Sequence, residues 1–138
     1  MVLTNARIIL KDREIQNGFI VVKNDKIYEI GEGQYKGKDE ITDLKGNIVM
    51  PGFIDVHIHG SSGIDFMDAT VEDYKKISNS LFEEGVTTYL ATTLTSDFDS
   101  LKKVCENVKE AKKDNPSLFG IHFEGPYINA KYKGAQNE

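Results

Sequence analysis

Apolar and polar residues follow two different rhythms along this chain, and the change falls at Pro51-Gly52. Before it, apolar residues come in short runs. Residues 6–10, 19–23 and 26–30 are rich in β-branched and aromatic side chains and predict strands. Asn24-Asp25 separates the last two, so these are expected to form a tight hairpin, closed by Gly31-Glu32-Gly33. Residues 37–43 are polar and predict a loop, and residues 44–50 a short strand carrying a glycine. This all-β unit has few large apolar residues, too few for a good core of its own.

After Pro51, strand-like and helical patterns alternate. Phe53-Ile54-Asp55-Val56-His57-Ile58-His59 has a period of two. Val71, Tyr74, Ile77, Leu81 and Phe82 then recur at helical spacing. Thr70 is the expected N-cap, Asp73 a weaker capping-box partner, and Gly85 the stop. Residues 86–93 predict a β-branched strand. Ser96 and Asp99 frame a second helix start, with Leu101, Val104, Cys105, Val108 and Ala111 as its apolar stripe and Asn115-Pro116 as its end. Residues 118–124 predict a third strand, ended by Gly125-Pro126. The order β-α-β-α-β predicts parallel strands joined by right-handed crossovers, in a sheet covered on both faces. Three strands and two helices are an incomplete set of layers. The chain is therefore expected to be the N-terminal piece of a larger protein, or to assemble with something that completes the sheet.

Composition narrows the class. At 138 residues the chain is too short for a closed eight-fold barrel, which takes roughly 250. With 28% charged and 39% apolar residues it reads as globular rather than disordered. No apolar run approaches the roughly 20 residues of a membrane helix, and the N-terminus lacks the pattern of a signal peptide. The single cysteine, Cys105, excludes an intrachain disulfide and fits a reducing compartment. A net charge of -5 is a poor match to nucleic acid, and the pairs Lys75-Lys76, Lys102-Lys103 and Lys112-Lys113 read as solvated helix faces. The first fifty residues are charge-balanced. The whole acidic excess and all three histidines fall after them, so the chemistry is expected there.

In a strand, alternate side chains share a face. Asp55, His57 and His59 therefore lie on one face and Val56 and Ile58 on the other; His122 and Glu124 share a face, with Phe123 opposite. Both polar ladders fall at the C-terminal ends of parallel strands, the edge where such sheets bind ligands. Unpartnered imidazoles and carboxylates there would be costly, and a divalent cation would satisfy them. A lone histidine at a strand end is more often an ordinary hydrogen-bonded residue, whereas for the His-x-His pair, preceded by Asp55 and followed by Gly60, the ligand and ordinary readings are evenly matched. Glu124 is either a ligand or a cap for the following Gly-Pro turn. Asp55 either orients an imidazole or caps the loop. Cys105 reads as a small buried hydrophobe. Ser61-Ser62-Gly63 lacks the spacing of a phosphate loop, and no Ser-His-Asp or Cys-His arrangement can be assembled.

The run from Pro51 through Asp55, His57 and His59 to Gly60 resembles the first barrel strand of the amidohydrolase superfamily, reached from a small β-sandwich. Gly85-Val86-Thr87-Thr88 with Thr92-Thr93 resembles its second strand. His122-Phe123-Glu124-Gly125-Pro126-Tyr127-Ile128 and Lys133-Gly134-Ala135-Gln136-Asn137 resemble its amino-sugar deacetylase branch, which uses a glutamate where many relatives use a modified lysine. The resemblance covers the chain. It implies an α/β fold, the first part of a metal-dependent hydrolase (β/α)8 barrel of about three βα units over residues 51–138. Half of a small β-sandwich over residues 1–50 would precede it.

The resemblance further implies a cytoplasmic enzyme that takes acetate from the amide of N-acetylglucosamine 6-phosphate and leaves glucosamine 6-phosphate. It implies a divalent metal, zinc in the first instance, with Glu124 as its glutamate ligand and His57 and His59 as paired ligands of a second metal position. Ala135 and Gln136 match sugar-contacting positions, and many members carry histidine at the latter. The catalytic aspartate, the remaining metal histidines and a phosphate-binding arginine belong to later strands. No catalytic residue is then expected within this chain, and the isolated chain is expected to be inactive. The implied partner is a small sugar phosphate, with no nucleic acid or membrane, and the full-length form is expected to be a homo-oligomer. Two other readings stay open: an amidohydrolase acting on a cyclic amide or dipeptide, and a non-enzymatic module that self-associates through an open sheet edge.

Overall fold

Residues 1–137 are described by a computed structural model, as two compact units that part between Pro51 and Gly52. In the first, β1 (Val2–Ile9), β2 (Glu14–Lys23) and β3 (Lys26–Glu32) form an antiparallel meander, and β4 (Ile41–Asp43) and β5 (Ile48–Val49) run parallel to β1. The sheet order is β3-β2-β1-β4, with β5 also on β1. The expected hairpin is present: Lys23 pairs with Lys26, and Asn24 and Asp25 take φ of 49° and 57°. Two successive positive φ values are what a two-residue turn matched to strand twist requires, and Asn and Asp tolerate them best after glycine.

Two expectations are corrected here. Residues 37–43 are not all loop, because Ile41–Asp43 pairs with Val2–Thr4; a partner strand supplied from far along the chain outweighs a polar local composition. The strand expected over residues 44–50 shrinks to Ile48–Val49, because Lys45 and Gly46 turn at positive φ and Asp43 accepts the Lys45 N–H at 2.8 Å. The apolar residues divide into two small clusters, Ala6, Ile8, Ile15 and Ile20 in one and Val2, Phe19 and Val21 in the other.

The second unit comprises β6 (Phe53–Ile58), β7 (Gly60–Ser61), β8 (Ile64–Asp65), α1 (Asp73–Glu83), β9 (Val86–Thr92), α2 (Phe98–Ala111), β10 (Leu118–His122) and a 3-10 turn over Ala130–Tyr132. The strands β10-β9-β6 form a parallel sheet in that order, as the alternation predicts. Both helices pack into one core with Phe66, Tyr89 and Leu118, through Tyr74, Ile77 and Leu81 of α1 and Val104 and Val108 of α2. Coverage of both sheet faces is not found among the described residues: Ile54, Val56 and Phe119 are 69%, 59% and 66% exposed. Phe82, expected on the apolar stripe of α1, is also exposed. Cys105 is half-buried at the margin of α2's packed face. Among the described residues, no helix is long and apolar enough to cross a membrane.

The β7–β8 hairpin has no sequence signal beyond its glycines. Gly60 has φ 154°, and a Cβ there would stand 1.9 Å from the Ile64 carbonyl oxygen, so the chain can turn back this tightly only with glycine.

Both helix starts differ in detail from the expectation. The first helix begins at Asp73, and the Thr70 side chain does not accept from its turn, although the Thr70 carbonyl takes the Asp73 N–H at 3.1 Å. Instead the Thr70 hydroxyl and N–H donate to Asp73 Oδ2 at 2.8 and 3.0 Å, and Lys76 Nζ donates to Oδ1 at 2.7 Å. The Lys76 and Thr70 bonds hold the Asp73 carboxyl down to about 2. A depressed carboxyl stabilises the fold when ionised, so its contribution is complete above the ordinary value near 3.8 and is lost as pH falls through about 2. The Thr70 amide resonance, followed in an acid titration, should report that midpoint; one near 4 would count against these bonds.

In the second helix the N-cap is Asp97, not Ser96. Its extended backbone lets Oδ1 accept the Ser100 N–H at 2.9 Å and Oδ2 the Ser100 hydroxyl at 2.7 Å. Asp97→Ala should destabilise this unit by the modest amount typical of a lost N-cap, read as a lower denaturant midpoint at unchanged slope.

Candidate metal centre

Three parallel strands end side by side, and a buried hydroxyl ties their ends together. Thr92, the last residue of β9, is fully buried; its Oγ1 accepts the Ile58 N–H of β6 at 3.0 Å and lies 3.3 Å from His122 Nδ1 of β10. With the oxygen accepting from Ile58, the hydroxyl hydrogen is free to go to His122. The ends of β6 and β10 are thereby held at one level of the sheet rim.

On that rim His57 comes from β6 and His59 lies one residue past its end. Asp55 Oδ1 accepts the backbone N–H of His57 at 3.0 Å, so Asp55 shapes the strand end rather than orienting an imidazole. Glu124 lies two residues beyond β10, not within a strand as expected. Its Oε2 lies 2.8 Å from His57 Nε2 and 3.0 Å from His59 Nε2. One ligand atom from each of the three residues lies within 4.8 Å of the other two. The His122 ring is edge-on to His57 at 4.8 Å but is outside this group.

Partial burial pushes the Glu124 carboxyl up. Hydrogen bonds from His57 and Gln136, with the charge of His57 and His59, outweigh it and leave the group below the ordinary carboxylate range. Glu124 is therefore an anion under all ordinary conditions. His59 Nδ1 is buried without a hydrogen-bond partner, a further sign that this rim is shaped by something other than its own hydrogen bonds. Two imidazole nitrogens and a carboxylate oxygen form a donor set suited to zinc and similar divalent ions, so the residues present fit such an ion.

The two positions expected at the sugar behave differently. Ala135 is exposed. Gln136 is 8% exposed, with its Oε1 accepting the Thr95 N–H at 2.7 Å. Thr92 and Thr95 carry no sequence signal for the site. Their β-branched shape reads only as strand propensity, and nothing local marks a hydroxyl or N–H that will face a neighbouring strand.

Residues 48–138 match the Amidohydrolase family, and the chain belongs to that family. Within it, the chain is 33% identical to the N-acetylglucosamine-6-phosphate deacetylase of Bacillus subtilis, over 99% of this chain and 36% of that protein. Among solved structures, the deacetylase of that name from Thermotoga maritima superposes with a TM-score of 0.82 at 32% identity, over 99% of this chain and 35% of that one. The Pasteurella multocida deacetylase gives 0.91 at 29% identity, over 99% and 37%. The chain spans about a third of the length of the curated relatives it matches.

Proposed function

We propose that this chain forms the first third of a metal-dependent deacetylase that cleaves the acetamide of N-acetylglucosamine 6-phosphate to acetate and glucosamine 6-phosphate. The observation that carries the reading is the Glu124 carboxylate set between His57 and His59 at the C-terminal rim of a parallel sheet, in a chain of the amidohydrolase family. The shared name of the relatives supports the substrate. The β10-β9-β6 sheet with its crossing helices supports the opening of a (β/α)8 barrel, and the five-stranded sheet of the first unit supports part of a β-sandwich. A cytoplasmic location and a homo-oligomeric full-length form belong to the same reading, the former in keeping with the lone thiol of Cys105.

His57, His59 and Glu124 would hold the metal, zinc being the ion that best suits two imidazoles and a carboxylate. A divalent ion bound there supplies Lewis acidity, which makes water a stronger acid and an amide carbonyl a better electrophile. The chain's own contribution is electrostatic and geometric. Glu124 brings the negative charge that offsets the cation, and Asp55 and Thr92 set the backbone from which the two imidazoles project. Ala135 is exposed and free to touch the sugar. The Gln136 carbonyl is committed to Thr95, which leaves only its amide hydrogens for any ligand contact. No residue of the chain is assigned to take or return the proton; in this reading an aspartate outside these 138 residues does so, and the isolated chain is inactive.

The test is acetate release from N-acetylglucosamine 6-phosphate by the protein encoded by the whole reading frame, with and without zinc. Zinc-dependent release is the expected result. Hydrolysis of a cyclic amide or a dipeptide in its place would overturn the substrate assignment.

A further inference from the structure

We infer that Thr92 holds His122 as the tautomer with its hydrogen on Nε2, so that His122 stands beside His57 as a fixed hydrogen-bond donor for a carbonyl or carboxylate oxygen taken by the metal centre, and is not itself a metal ligand. The inference rests on the reading of His57, His59 and Glu124 as the metal site and adds to it a contact for the oxygen of the site's ligand.

The tautomer follows from the hydrogens around one buried oxygen. Thr92 is fully buried, and its Oγ1 accepts the Ile58 N–H at 3.0 Å. A hydroxyl has one hydrogen of its own, and the acceptor found for it among the described residues is His122 Nδ1 at 3.3 Å. Hydrogen on Nδ1 would instead bring a second donor to Oγ1 and leave the buried hydroxyl hydrogen without a partner, which is costly. Nδ1 is therefore the acceptor, and in a neutral imidazole the hydrogen then sits on Nε2. The backbone fixes the base of the ring: His122 pairs with Thr92 in the β9–β10 register, and its carbonyl accepts the Thr93 N–H at 3.0 Å.

A ring nitrogen that carries hydrogen has no lone pair to give a cation. Ligation through Nε2 would need that hydrogen moved to Nδ1, with loss of the acceptor that Thr92 uses. This accounts for a third imidazole that stands at the rim and stays outside the group of three donors. Nε2 lies across the ring from the buried Thr92, and no hydrogen bond to it is found among the described residues. The His122 ring is edge-on to His57 at 4.8 Å between centroids, and His57 is 5.2 Å from His59. One small ligand can therefore touch both the Nε2–H and an ion held by the pair. An oxygen of a carbonyl or carboxylate suits that place, since it offers lone pairs to a cation and to an N–H at once. An acetamide and the acetate it yields both carry such an oxygen.

Protein from the whole reading frame, isotope-labelled in its histidine nitrogens and held above the imidazole titration range, tests the inference by long-range proton–nitrogen NMR, with His122→Phe to assign the signal. His122 should show hydrogen on Nε2 and an acceptor Nδ1, and the reverse pattern would overturn the inference. Thr92→Val removes the hydroxyl and should give a mixture of the two tautomers; an unchanged pattern would remove the role of Thr92. If Thr92→Val fails to fold, the pattern of the unaltered protein decides alone. On addition of Zn2+ the Nε2 signals of His57 and His59 should move to those of metal-bound nitrogen, while the His122 Nε2–H persists. Loss of that hydrogen would make His122 a ligand and overturn this inference alone, whereas unmoved His57 and His59 would remove the metal site and the inference with it. Acetate added to the zinc-loaded protein should shift the His122 Nε2–H. His122→Phe should bind Zn2+ as before and acetate about tenfold more weakly, the loss typical of one hydrogen bond to a charged group. Equal acetate affinity in the two proteins would overturn the donor role.

Discussion

Exchange of Glu124 for glutamine should lower zinc affinity beyond the roughly 10–100-fold typical of losing an outer partner, because it removes the only anionic donor of the group. A carboxylate contributes charge as well as a lone pair, and two neutral imidazoles cannot hold a dication as well without it. Glutamine has nearly the same shape, so the fold should persist. The bonds from Glu124 to His57 and His59 are partly solvent-exposed, and exposed pairs of this sort contribute little to stability. Calorimetric titration with Zn2+ and a thermal melt on the same sample check both halves of the expectation. Undiminished affinity would remove the site, and a collapsed melt would show that Glu124 serves the fold first.

Tyr89→Ala should have the largest effect on stability, about 3–5 kcal/mol for removal of a fully buried aromatic ring. Tyr89 lies in the core of the second unit, stacked at 5.8 Å on Phe66, which stacks in turn on Tyr74 at 5.6 Å. Its hydroxyl is 3.0 Å from Ser78 Oγ. Burial holds the Tyr74 phenol well above the ordinary value and raises that of Tyr89, so both stay neutral. Tyr89→Phe isolates the polar part. Ser78 keeps Asn115, whose Nδ2 donates to it at 2.8 Å, so losing the hydroxyl alone should cost only about 1 kcal/mol. Urea unfolding of the two variants should give midpoints in that order. A domain stable by about 5–15 kcal/mol would lose a large share of its stability in the first and little in the second. Equal losses would place the weight on the Ser78 bond rather than on the ring.

Much of the site is legible in the order of residues along the chain. A strand period of two points His57 and His59 the same way, and parallel strands bring the ends of β6 and β10 to one rim, but Glu124 reaches the pair from two residues beyond β10, where no strand period holds. The Asn24-Asp25 turn is equally legible, since few residue pairs accept two positive φ values. The misses are of another kind. Ser96 and Asp99 have the right spacing for a cap, yet Asp97 and Ser100 make it one residue later, because the choice follows which residue leaves the preceding strand extended. The strand Ile41–Asp43 exists because Val2–Thr4, from the far end of the unit's sequence, offers it an edge. Phe82 fits a helical stripe by spacing, but the packed arc of α1 is narrower than the spacing alone suggests.

The residues of this chain carry their own periods, turns and donor types, so the alternation of strands and helices follows from local chemistry, whereas the pairing of Glu124 with His57 and His59 is implied by the family resemblance. Which groups meet follows from the crossovers, since contact between strands depends on register and burial that no local window contains. Thr92 joining Ile58 to His122, and Gln136 accepting from Thr95, arise only when segments 34 and 41 residues apart are laid side by side.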